Sequence, residues 1–419
     1  MPEDIDSVEA TSAAERLAAE IRLRRKAAGL SQPELAAEIS YTRQYVSLAE
    51  RAGKNLPSIE LVKAIDAALE AGGSLLKLRE AAKAEQRARR AQLGGSPAVS
   101  FATEAVRAEM PRLRAALATH DLPDDGPVRP LAVLEKTVSD LVAQRVEARY
   151  SQIIGKLPEL LSELGRAHLE SRGQEREQIT QMLAMAYRAA DGVAFKFGYS
   201  DLSARIIDLM RLTTAESHDR LLAASVSYVR TETFFATGDL DAGGRALAKA
   251  IDAMPSSSHA AATATRGSLH MRAAVVAARA GKADEAHDHL DEARTAAADV
   301  SEGVYYGTAF GPASVKIHDV AVAVELGDSP TAVQRGRDWR PPRQLPAERQ
   351  SHYYIDLAGA QLEVGRADDA YASLQLARQI APQHTREHPR VRLALSALLR
   401  SRPTTNADLK DFATWAGAR

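Results

Sequence analysis

Chemistry needs side chains that ionise, ligate or attack, and this 419-residue sequence offers few of them at a workable spacing. It has no cysteine, which excludes thiol catalysis, cysteine-ligated metals and disulfides and suits a reducing compartment. His384-Thr-Arg-Glu387-His388 carries the letters of a zinc-binding His-x-x-Glu-His pattern, which needs a helix to bring both imidazoles onto one face and a third ligand downstream. The stretch lies between Pro382 and Pro389, too short for that helix, and no glutamate follows Glu387, so no metal site is expected. His287 and His289 stand two apart in a helical run and face away from each other. There is no phosphate-cradling or dinucleotide-binding Gly-rich loop, no nucleophile elbow and no set of nucleophile, base and oxyanion donor, so neither an enzyme nor a cofactor is expected.

The other chemistry within reach is recognition by charge and hydrogen bonding. Lys and Arg number 54 against 55 Asp and Glu, a net charge of −1, so no global field announces a partner. Residues 15–93 nevertheless carry 15 basic against 10 acidic side chains, which concentrates positive charge at the N-terminal end. Met1 to Glu20 lack an apolar core, and no run approaches about 18 apolar residues, so the expected setting is the cytoplasm, with no membrane partner.

Local signals set out the elements that must carry this charge. Residues 1–14 read as a disordered acidic leader. Leu17, Ala18, Ile21 and Ala28 then share one helical face until Gly29, giving a helix over about 15–28. Ser31 and Glu34 form a capping box with Leu30 and Leu35 at the staple positions, and Pro33 is harmless in a first turn, so helix two starts at Gln32 and ends near Ile39. Thr42 is the N-cap candidate of a third helix running to about Arg51, with Val46 and Ala49 pointing one way and Arg43, Gln44, Ser47 and Leu48 the other. Ser58 caps a fourth helix, Gly72-Gly73 precede a short fifth, Lys83 to Arg90 form a charged helical extension, and Gly94-Gly95-Ser96-Pro97 mark a boundary. Two helices joined by only Ser40 to Thr42 have the shape that seats the second in a DNA major groove.

Gly29-Leu30-Ser31-Gln32, Glu34-Leu35-Ala36, Tyr45-Val46-Ser47 and Glu50-Arg51 together resemble the XRE (Cro/phage-repressor-like) helix-turn-helix family across residues 15–80. The resemblance implies that Gln32 contacts phosphate and base, that Arg43, Gln44 and Ser47 face base edges, and that Glu50 is a buried acid paired with Arg24 or Arg25. Arginine reads guanine and glutamine reads adenine through paired hydrogen bonds. The expected DNA-contact set is Gln32, Thr42, Arg43, Gln44, Tyr45, Ser47, Leu48, Arg51 and Lys54, with Tyr45 open to a core or a phosphate role. The sequence departs from the family at Ser40, usually glycine, at Leu48, usually polar or basic, and by one extra residue around Ala52–Asn55.

From about residue 100 no alternating strand pattern is visible, and Ala and Leu dominate. Gly238-Asp239, Gly281-Lys282, Gly327-Asp328 and Gly365-Arg366 recur at spacings of 43, 46 and 38 residues, and Asp239-Leu-Asp-Ala, Ala283-Asp-Glu-Ala and Ala367-Asp-Asp-Ala repeat after them. These units resemble degenerate tetratricopeptide repeats. The stretch from His352-Tyr-Tyr through Gln361-Leu-Glu-Val-Gly to His388-Pro is similar to the C-terminal repeats of many bacterial XRE regulators. Some such regulators clamp a signalling peptide with an asparagine, and here only Asn406 stands in this region. Tyr228, Arg230, Arg272, Tyr305, Tyr306, His352 and Tyr353 are the groove candidates, each taken as a large polar side chain in a repeat helix, with inter-repeat packing as the competing role.

The resulting reading is an all-α chain with a leader (1–14), a five-helix lambda-repressor-like helix-turn-helix domain (15–82), a linker helix and loop (83–100) and a tetratricopeptide-like α-solenoid (101–419). It implies a homodimeric transcription regulator on a palindromic double-stranded operator, with the repeats dimerising and sensing a peptide, small molecule or protein. The rival reading is a repeat scaffold with a vestigial helix-turn-helix, which the Ser40 and Leu48 departures leave open.

Overall fold

The computed structural model describes residues 12–51, 56–95, 104–215, 217–401 and 407–418. Most of the expected leader, Ala52 to Asn55 with Lys54, and Asn406 lie outside them. The chain divides into two compact units, Met1–Ser96 and Pro97–Arg419. Among the described residues no helix is long and apolar enough to cross a membrane.

The first unit contains α1 (Ala13–Ala27), α2 (Gln32–Glu38), α3 (Arg43–Ala49), α4 (Ile59–Ala68) and α5 (Ser74–Gly95). Both α1 and α2 open on capping boxes: Ser12 with Glu15, and Ser31 with Glu34, whose carboxylate accepts the Ser31 N–H at 2.6 Å. Leu17, Ile21, Leu35, Val46, Val62, Ile65 and Leu75 close one core. The expected short fifth helix and its charged extension are one continuous element, and the Gly94-Gly95 expected as linker still belongs to α5. Asp66 helps set its start, because its buried carboxylate accepts the N–H groups of Gly73 (2.7 Å) and Leu75 (3.0 Å), donors that a helix N-terminus leaves open.

The second unit contains α6 (Glu104–Ala118), α7 (Leu131–Val146), α8 (Tyr150–Ile154) and α9 (Leu157–Glu170), followed by five helical hairpins. These are α10 (Gly173–Lys196) with α11 (Ser200–Thr214), α12 (Arg220–Thr237) with α13 (Leu240–Asp252), and α14 (Ala260–Ala280) with α15 (Ala283–Ala298). They continue, after a β-hairpin, with α16 (Pro312–Leu326) and α17 (Ser329–Gly336), then α18 (Ala347–Glu363) and α19 (Ala367–Ile380). The chain ends in α20 (Pro382–Glu387), α21 (Pro389–Ser401) and α22 (Ala407–Ala416).

Four hairpins turn at the glycines read from the repeat, Gly238, Gly281, Gly327 and Gly365, all with φ between 77° and 80°. Gly198 makes the fifth such turn at φ 81°, unread because Phe197 and Tyr199 flank it instead of an acidic or basic residue.

One short β-hairpin interrupts the otherwise all-α fold. Strands β1 (Gly303–Tyr305) and β2 (Thr308–Phe310) pair antiparallel around Tyr306-Gly307, both at positive φ (45° and 74°) as a two-residue hairpin turn demands. Tyr305 and Tyr306 therefore lie in this hairpin and not in a repeat helix. The hairpin is seated by Phe310, fully buried on α14 at Gly267, where an added Cβ would stand 2.0 Å from the ring.

Ser40 adopts φ +58° after α2, its N–H bonding to the Ala37 carbonyl while that of Tyr41 bonds to Ala36. That is the left-handed helix end that glycine adopts without penalty. Left-handed backbone costs about 1–2 kcal/mol in a residue bearing a Cβ. Ser40→Gly should therefore raise the stability of the first unit by about 1 kcal/mol in chemical denaturation; an unchanged or lowered midpoint would show that the turn is not strained.

Candidate nucleic-acid interface and ligand pocket

One buried carboxylate positions the turn region of the first unit. Glu50, at the C-cap of α3, is paired with the buried Arg25 of α1, whose Nη2 lies 3.0 Å away, and accepts from the Gln32 amide of α2 at 2.8 Å. Arg25 also donates to the Leu30 carbonyl at 2.7 Å, so α1, the loop, α2 and α3 are tied together. Burial pushes the Glu50 carboxyl up, but hydrogen bonds from Arg25 and Gln32 and the charges of Arg25 and Arg22 outweigh it and hold it below the usual carboxylate range. Of the two arginines expected as partner, Arg24 pairs instead with Glu20.

That frame leaves one face of α3 to solvent. Thr42, Arg43, Gln44, Tyr45, Leu48 and Arg51 are exposed, Ser47 is half-buried, and Val46 and Ala49 fill the core. Tyr45 stands 53% exposed with its ring edge-on to Tyr41, so it belongs to the presented face. Gln32 differs from the rest, since its amide is engaged by Glu50.

In the second unit, the first helices of all five hairpins contribute to a pocket of about 200 Å³. Three of the seven groove candidates reach it: Tyr228, Arg272 and His352. Arg230 lies over Phe234 (5.4 Å), and Tyr305 donates to the Ser301 carbonyl at 2.9 Å. Tyr353 is buried, its hydroxyl bonding to the carbonyls of Gly336 and Trp339. The phenol of Tyr306 is pushed up to about 12 by burial and Asp219.

Charged residues that, Arg272 apart, the sequence reading passed over make up much of the lining. Lys196 pairs with Glu348 (3.0 Å), Arg279 with Glu325 (3.0 Å) and Arg272 with Glu232 (3.4 Å). Arg188 donates to the Tyr306 carbonyl and the Thr308 hydroxyl, both at 2.6 Å, and Arg145 donates to the Gly307 carbonyl, so two guanidinium groups grip the hairpin tip. Burial, with Arg145 nearby, pulls Arg188 down to about 9. Three cations converge on one phenol: Arg272 lies 4.1 Å and Arg188 5.6 Å from the Tyr228 ring centre, and Arg349 donates to its hydroxyl at 3.0 Å. The signal in the sequence was charge at i, i+4 and i+7 in Ala- and Val-rich helices, as in Arg272/Arg279 and Arg349/Asp356, a pattern shared by solvated faces.

The rejected histidine motif also needs correction. A short helix, α20, does form between the prolines, and His384 and His388 meet not with a downstream residue but with His352 of α18, one ligand atom from each lying within 4.8 Å of the others. Burial and nearby Lys196 hold all three imidazoles well below their usual range, hence neutral and able to ligate. The cation opposes a dication, however, and both His384 nitrogens are engaged, by Ser351 (2.6 Å) and Lys196 (3.3 Å). The His287/His289 pair does face apart, His289 turning to His270 at 3.1 Å.

Burial alone would raise the Tyr228 phenol, but Arg272, Arg349 and Arg188 pull it down to about 8, whereas Tyr187, Tyr306 and Tyr353 are pushed up to about 12. Absorbance at the phenolate band should therefore show one tyrosine ionising near pH 8, a step that Tyr228→Phe abolishes. A first step at the ordinary value of about 10, or one unaffected by the substitution, would refute this convergence of charge.

A family model described as a helix-turn-helix domain matches residues 16–78. No curated protein matches the chain. Among solved structures, Bacillus thuringiensis PlcR, crystallised in complex with the peptide PapR7 and DNA, is similar at 17% identity over 67% of this chain and 94% of that one, with a TM-score of 0.31. So loose a superposition says nothing about ligands here. Residues 16–78 of this chain are a helix-turn-helix domain, the fold with which DNA-binding regulators seat a short helix in the major groove.

Proposed function

We propose that the protein is a sequence-specific transcription regulator that binds an inverted repeat as a homodimer and whose second unit, a tetratricopeptide-like solenoid, senses a ligand in its pocket. The observation that carries this reading is the presented face of α3, on which Arg43, Gln44 and Leu48 are exposed and Ser47 is half-buried. Arg43 and Gln44 supply the paired donors and acceptors that read guanine and adenine, and exposed Leu48 suits a thymine methyl. Thr42, Tyr45 and Arg51 reach phosphates, with Lys54 as a further phosphate contact. Gln32, anchored by Glu50, acts at the start of α2.

Dimerisation follows from reach. Seven residues of α3 span about 10 Å, enough for about three base pairs, so one copy cannot specify an operator. Two copies on half-sites about 34–36 Å apart, or a multiple of that, can.

Selection from a random DNA library with the full chain should enrich an inverted repeat. Arg43→Ala and Gln44→Ala should each weaken the selected site by about 1–3 kcal/mol and relax one position, while Arg51→Ala should weaken all sequences alike and lower the salt dependence by about one ion. Failure to enrich any repeat, together with unchanged binding in the first two variants, would leave the chain as a scaffold of helical repeats.

A further inference from the structure

A guanidinium inside a protein is tolerated best when an anion faces it directly, and two in the second unit have no such partner among the described residues. Lys196, Arg279 and Arg272 have carboxylate partners, but Arg188 and Arg349 make no ion pair among the described residues: their partners are a carbonyl, two hydroxyls and the His318 ring. Asp191 is weakened as a counter-charge, because burial and the neighbouring Glu232 raise its carboxyl well above the carboxylate range, while Arg349, which burial would lower, is raised by Tyr228 and by Glu348 and Glu302 nearby without pairing directly with either acid. Three guanidinium groups nonetheless meet around Tyr228.

Three further atoms belong to residues that line the same space. Among the described residues the hydroxyl of Tyr150, which is only 1% exposed, has no hydrogen-bond partner, and neither has Nε of Arg272; Oε2 of Glu232 is also without one, but its carboxylate already faces Arg272. A polar atom buried without a partner is costly unless something bound satisfies it. The three neutral histidines are the rival site, but Lys196 beside His384 opposes a metal ion and would favour negative charge.

We propose that this pocket holds a small organic anion, a carboxylate or a phosphate monoester, bound by Arg188, Arg349 and Arg272 and by the Tyr150 hydroxyl. Both groups present paired oxygens to a guanidinium fork. A volume of about 200 Å³ lies below the roughly 300–1,000 Å³ of sites for drug-sized ligands, so the ligand is small. Arg188 would then exchange its hold on the hairpin carbonyl for a charged partner.

The inference rests on the sensing reading only for the purpose of the pocket, and the two can fail separately. Calorimetric titration of the full chain with inorganic phosphate, and separately with succinate, in chloride buffer of equal ionic strength, should give saturable one-site binding for at least one probe. The probe that binds tighter identifies the oxyanion class. Arg349→Gln should weaken that binding at least tenfold. Tyr150→Phe, which removes only the unpartnered hydroxyl, should weaken it several-fold without loss of helical circular dichroism, so a folding defect in the arginine variant would not obscure the result. No saturable heat with either probe, or equal binding in both variants, overturns the inference while leaving DNA selection untouched. Anion binding by a chain that selects no DNA would overturn the regulator reading instead.

Discussion

A guanidinium withdrawn from water must be answered by negative charge, and both units are organised by how they meet that demand. In the first, Arg25 is answered by Glu50, and that contact draws in Gln32 and the Leu30 carbonyl, fixing α2 and α3 against α1. The desolvation of both groups is offset only while the partners stay together; removing one strands the other, at about 3–5 kcal/mol in buried pairs generally. Because the Glu50 carboxyl is held below its ordinary value, the stability it contributes is present above the ordinary carboxylate range and is lost as acid protonates it. The pose of α3 thus depends on one buried acid.

The second unit meets the same demand differently. Its five hairpins stack their first helices around a common pocket, and Ala-rich segments let long charged side chains from successive helices converge there. Arg145 and Arg188 both donate to backbone carbonyls of the β-hairpin tip, with Glu348 3.9 Å from Arg145 but no carboxylate paired with Arg188 among the described residues. An anion bound as proposed would compete with the hairpin carbonyl for Arg188. A ligand can shift a population only through a difference in affinity between two arrangements.

Legibility in the sequence followed the range of the interaction. The capping box of Ser31 and Glu34, the glycine turns of the repeats and the inward face of α3 are decided by neighbours within about one helical turn, and all were readable. Ser40 was visible as a departure, but that it is held left-handed emerges only from the backbone. The pocket was mostly illegible because Arg188, Glu232, Glu325 and Arg349 have the spacing of a solvated face; only the stacking of hairpins up to 161 residues apart turns them inward. The β-hairpin was missed because its two strands have three residues each, too few to show alternation. The meeting of three histidines was not visible because its third member lies upstream in α18, where a search for a downstream ligand does not look.

On the proposed reading, charge in the pocket of the second unit changes how the helix-turn-helix holds DNA. The most direct test of this is the affinity of the full chain for its selected operator, by fluorescence anisotropy at fixed salt, in the wild type and in Arg188→Gln with circular dichroism matched. Coupling between sites typically spans about 5- to 150-fold, so the account predicts at least a fivefold change in operator affinity from a residue outside the DNA-binding unit. Identical affinities would mean that the pocket and the DNA-reading helix are independent, and would contradict it.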